Sequence, residues 1–68
     1  MAMMLPWSDH EQPDGTIEVR CGGIATFTLS RADGVGLWEL LRFGESEVIE
    51  TDQYRHDLFA GIQSGRIK

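Results

Sequence analysis

The sequence predicts a small α+β domain of two layers, an antiparallel three- or four-stranded β-meander with one C-terminal α-helix packed on the sheet. Two glycine-bearing turn signals, Cys21-Gly22-Gly23 and Asp33-Gly34, separate short segments whose apolar residues alternate. Both turns independently place the same side chains on one apolar face. Further on, Tyr54, Leu58 and Ile62 recur at i, i+4 and i+8, the spacing of one helix face.

Residues 1–15 hold Pro6, Pro13, a polar cluster and an Asp14-Gly15 turn signal, so they are expected to form an irregular lead-in. Residues 16–68 then make a single small α+β domain. Residues 16–21 and 24–30 form the first hairpin. A two-residue Gly-Gly turn would oppose Ile17 to Thr28 and Val19 to Thr26, mixing polar and apolar partners. A three-residue loop instead sets Ile17 opposite Phe27, Val19 opposite Ala25 and Glu18 opposite Thr26, which separates the faces. A two-residue type I′ turn at Asp33-Gly34 places Leu29 opposite Trp38 and Phe27 opposite Leu40, making 35–43 the third strand. The competing reading of 35–43 is a short helix, since Leu37 to Phe43 are helix formers that Asp33 could cap and Gly44 could end. The agreement of the two registers favours the strand.

After a Gly44-Glu45-Ser46 turn, Val48 and Ile49 suggest a short fourth strand. Thr51 or Asp52 then caps a helix running to about Ser64, with Phe59 beside its apolar stripe and Gly65 as its stop. Arg66 and Lys68 read as a solvated tail that suits the helix dipole.

Sixty-eight residues allow one thin core, and 41% apolar with 25% charged residues is ordinary for a folded chain. The lone Cys21 has no partner for an internal bridge, and residues 1–7 lack a basic start and are too short for a signal peptide or a membrane span. These features point to a soluble cytoplasmic protein. Its net charge of −5 is unevenly spread. Residues 16–44 are nearly balanced, whereas Asp9, Glu11 and Asp14 precede them and Glu45, Glu47, Glu50, Asp52 and Asp57 follow against Arg55 alone. Such flanks repel nucleic-acid phosphates and membrane headgroups and attract basic protein surfaces. Neither nucleic acid nor membrane is an expected direct partner.

Chemistry-bearing residues are sparse. His10, His56 and Cys21 stand too far apart for a metal motif, and Cys21 lies beside Arg20 and two glycines with no base at hand. Gly22-Gly23 precedes a strand and lacks the lysine of a phosphate loop, so it is a hairpin turn and no cofactor is implied. The carboxylate pairs Glu45 with Glu47 and Glu50 with Asp52 read as a solvated acidic edge, and the chain is not expected to be an enzyme. On the face away from the core, Ile24 is expected opposite Phe43 and Thr26 opposite Leu41, leaving an apolar corner. Leu5 and Trp7 folding back would cover it. Left open, it would be a partner site comprising Trp7, Glu39, Phe43, Glu45, Glu47, Glu50, Asp52 and Asp57, with Trp7 as the anchor.

The function expected is therefore a small acidic protein–protein interaction module, an inhibitor docking on a basic nucleic-acid-handling protein with its carboxylates standing in for phosphates. In size and acidity the chain resembles the small phage-encoded inhibitors of bacterial defence, including anti-CRISPR proteins, with no motif in common. The alternative is a small structural or regulatory homo-oligomer, with no ligand, in which the apolar corner and a strand edge pair between protomers.

Overall fold

The computed structural model describes residues 7–31 and 36–67. Five strands, β1 (Trp7–Glu11), β2 (Ile17–Cys21), β3 (Ile24–Arg31), β4 (Trp38–Arg42) and β5 (Val48–Asp52), form one antiparallel sheet in sequence order. The helix α1 (Arg55–Gln63) covers one face. The α+β class and the C-terminal helix are as the sequence predicts, with one strand more than the three or four expected.

The additional strand is β1, so residues 7–11 are not an irregular lead-in. Trp7 pairs with Cys21, Asp9 with Val19 and Glu11 with Ile17. A boundary at residue 15 falls inside the β1–β2 hairpin, whose loop is closed by Gln12 N–H donating to Thr16 O at 2.9 Å and Gly15 N–H to Gln12 O at 3.0 Å.

Both expected registers are off by two residues. Gly22 and Gly23 have φ of 61° and 85°, left-handed values that glycine adopts freely, and they build the two-residue turn that pairs Cys21 with Ile24 and Arg20 with Ala25. Thr26 is then skipped, and Val19 pairs with Phe27 and Ile17 with Leu29. This bulge returns the apolar residues to one face, which is why the two-residue turn is compatible with a clean core after all. On the next pair Leu29 stands opposite Leu40 and Arg31 opposite Trp38. The Asp33-Gly34 turn lies outside the described residues. A slip of two preserves side-chain faces, so Ile17, Val19, Phe27, Leu29 and Leu40 keep their predicted face while their partners change; before the bulge, Ala25 and Ile24 exchange faces relative to the prediction.

Residues 38–42 are strand and not helix. The fourth predicted strand is β5, extending from Val48 through Asp52, and a second bulge lets Leu40 pair with Glu50 and Leu41 with Val48 while Ile49 is passed over. Because Asp52 is held opposite Trp38, the helix cannot start at Thr51 or Asp52. It starts at Arg55, with Tyr54 extended at φ −121° and ψ 126° as its N-cap. Tyr54 is accordingly exposed, stacked 5.6 Å from the His56 ring, and not part of the apolar stripe.

Ile17, Val19, Phe27, Leu29 and Leu40 of the sheet pack with Leu58, Ile62 and Ile67 to make the core. Trp7, Trp38 and Phe59 are half-buried at its margin. Ile67 reaches the core because the chain turns at Gly65, φ 82°, and Ile67 N–H donates to Gly61 O at 3.1 Å. Arg66 makes two bonds to Glu50, 3.0 and 2.9 Å, so residues 66 and 67 fold back and are not a solvated tail. Lys68 lies outside the described residues.

Candidate interaction surface

The sheet face opposite α1 carries Ser8, His10, Glu18, Thr28, Ser30, Glu39 and Leu41, placed there by pairing with one another across the strands. Among the described residues no second layer of strands or helices covers this face. Trp7 is on the other side, its ring 6.0 Å from Phe27, so it neither caps the apolar corner nor serves as an exposed anchor. Its indole Nε1 is buried with no hydrogen-bond partner among the described residues. Leu5 lies outside the described residues. Nor does the expected corner form as drawn: Ile24 pairs with Cys21 at the hairpin end and is largely exposed, whereas Leu41 sits between Thr28 and Val48. Phe43, 53% exposed, follows Leu41 with its N–H donating to Thr26 O at 3.0 Å.

The acidic residues proposed for a partner divide between the two faces. Glu50 is held by Arg66, and Asp52 Oδ1 accepts the Tyr54 N–H at 2.9 Å; both are on the helix side of the sheet. Asp57 is in the first turn of α1, 3.4 Å from His56 Nε2. Glu45 and Glu47 are exposed in the β4–β5 connection next to Phe43 and Val48, and Glu39 is on the uncovered face between Ser30 and Thr51. None of Glu39, Glu45 and Glu47 has an ion-pair partner among the described residues.

Every arginine, by contrast, is engaged within the fold. Arg20 donates to Glu18 at 2.7 Å, Arg55 lies 3.6 Å from Glu11, and Arg66 grips Glu50. Arg31 lies over the Trp38 ring at 4.9 Å and Arg42 over Phe27 at 5.7 Å. Cations stacked on rings or held by carboxylates leave little positive charge for an outside anion.

A cleft of about 430 Å³ opens on the uncovered face. Asp14 and Thr16 of the β1–β2 turn bound one end, Glu18 and Thr28 line its middle, and Phe43 bounds the other end. Asp14 Oδ1 accepts both the Thr16 hydroxyl at 2.7 Å and the Thr16 N–H at 3.0 Å, and these bonds hold its carboxyl below the usual aspartate value. Sequence reasoning missed this cleft because its residues come from the β1–β2 turn, β2, β3 and the end of β4.

Also unforeseen is a hydrogen bond of 2.8 Å between Ser8 Oγ and His10 Nε2 on β1. Neither residue lines the cleft, and Ser and His two apart on one strand face are held together by the strand alone. Cys21 is half-buried and free, and no group of three or more His, Cys, Asp or Glu among the described residues is placed to hold a metal ion. No described helix is long and apolar enough to cross a membrane. No protein-family model matches the chain, and no curated protein or solved structure matches it.

Proposed function

We propose that the protein is a small acidic interaction module that docks on a basic surface of a nucleic-acid-handling protein, as phage-encoded inhibitors of the anti-CRISPR type do. The observation that carries this reading is the asymmetry of charge engagement. All five arginines are spent on internal contacts, while among the described residues Glu45 and Glu47, exposed near Phe43 and Val48, and the half-buried Glu39 have no ion-pair partner. An apolar patch rimmed by uncompensated carboxylates complements a basic partner and speeds encounter with it. Within the predicted site, the docking surface centres on Glu39, Phe43, Glu45 and Glu47, with Val48 added. Glu50, Asp52 and Trp7 serve the fold.

The test is an affinity pull-down from nuclease-treated bacterial lysate, washed at low and high salt, with mass spectrometry of the retained proteins. Recovery of a basic nucleic-acid-processing protein that salt releases supports the reading. Recovery of the chain alone favours the homo-oligomer, for which the exposed Val48 and Ile49 on the edge strand β5 are the supporting observation. Glu50 and Asp52 on that same strand work against it, since two-fold pairing of β5 with itself sets like charges near one another.

A further inference from the structure

The cleft between the β1–β2 turn and Phe43 has a more specific chemistry than the acidic rim around it. Its two carboxylates are each fixed by one oxygen: Asp14 Oδ1 is held by Thr16, and Glu18 Oε1 is held by Arg20 Nε at 2.7 Å. Asp14 Oδ2 and Glu18 Oε2 have no hydrogen-bond partner among the described residues. The side chain of Glu18 is only 19% exposed, so its position is set by packing as well as by Arg20. Across the cleft stands the half-exposed ring of Phe43. Two pre-oriented carboxylates in a cleft that an aromatic ring also lines suit a planar cation, because a guanidinium donates in a fork to carboxylate oxygens and stacks on rings. An ammonium is a point charge that prefers water, and satisfies the carboxylates without using the ring plane as well. The cleft volume lies at the lower end of the roughly 300–1,000 Å³ of small-ligand sites.

The geometry points to this cleft as the pocket in which the protein takes an arginine side chain of its basic partner. This assignment rests on the docking function proposed above and deepens it: Phe43 joins the pocket to the acidic β4–β5 connection, so one partner surface would span both.

The experiment titrates the full-length, nitrogen-15-labelled protein with N-acetyl-L-arginine methylamide and, in parallel, with the citrulline analogue, which keeps the shape and loses the charge. Saturable amide shifts at Thr16, Glu18, Thr28 and Phe43 are expected with the arginine probe. The citrulline probe and the variants Asp14→Asn and Phe43→Leu should each bind about tenfold more weakly, the amide spectra of both variants keeping the dispersion of the folded protein. Shifts centred on Glu45 and Glu47, or shifts equal for both probes, would overturn the pocket. The same protein is then used in the lysate pull-down. A salt-released basic partner bound equally by wild type and Asp14→Asn overturns the pocket and leaves the docking function standing. Arginine binding in the cleft with no basic protein captured leaves the pocket and removes the docking function.

Discussion

Gly61 faces two opposing demands. In a helix interior alanine is favoured over glycine by about 1 kcal/mol. Yet a Cβ at Gly61 would meet Ile67 Cδ1 at 2.8 Å and collide with the Arg66 guanidinium, because the C-terminal segment folds back across the helix there. The atoms met are ends of flexible side chains that can shift, so the clash offsets the helix gain, and Gly61→Ala is expected to leave the urea midpoint near the wild-type value at unchanged slope. A gain in stability would mean that residues 66 and 67 do not pack as described. Asp14 gives a pH-dependent counterpart. Its carboxyl is held low by the Thr16 hydroxyl and then the Thr16 amide. A lowered folded-state value contributes stability above the ordinary carboxylate range and loses it as pH falls through the lower value. The difference in unfolding midpoint between wild type and Asp14→Ala should therefore shrink on acidification. A difference that widens in acid would contradict the Thr16 contacts.

For the strands, the decisive quantity is register. In the predicted register Trp38 opposes Leu29 and is a core residue; in the fold Leu40 holds that place and Trp38 is half-buried, with the Arg31 and Arg55 guanidinium groups 4.9 and 5.9 Å from its ring. Leu40→Ala should cost about 2–5 kcal/mol, and Trp38→Ala less, although it removes the larger side chain. Equilibrium unfolding of the two variants measures the order, and the reverse order would restore the predicted pairing. The strand β1 was not legible for an identifiable reason. Its positions on the helix side hold Trp7, Asp9 and Glu11, so the apolar alternation that marks β2 and β3 is missing, and only Asp14-Gly15 announces a hairpin. Glu11 is tolerated there because its side chain is 77% exposed, with Arg55 of the helix 3.6 Å away. Tyr54 misled in the opposite sense: its spacing to Leu58 and Ile62 is helical, but β5 runs through Asp52 and leaves Tyr54 extended.

Across the whole molecule, charge is partitioned into structural pairs and an uncompensated surface. Reversing Glu45 and Glu47 to lysine should therefore weaken partner binding and flatten its salt dependence while changing stability by no more than about 0.5 kcal/mol, as surface substitutions do. Parallel binding and thermal-unfolding measurements check this, and a large loss of stability would place these residues among the structural pairs. Sequence alone determined the class, the turns at residues 14–15 and 22–23, the apolar face of β2, β3 and β4 and the acidity of the flanks, because period-two alternation, glycine turn chemistry and charge are local properties. Only the tertiary structure decided the partners across the strands, through bulges that skip Thr26 and Ile49, and the assignment of Glu50 and Arg66 to one ion pair. The cleft belongs to the same category. Asp14, Glu18, Thr28 and Phe43 are distant in the chain, and no local rule orders them until the sheet has chosen its register.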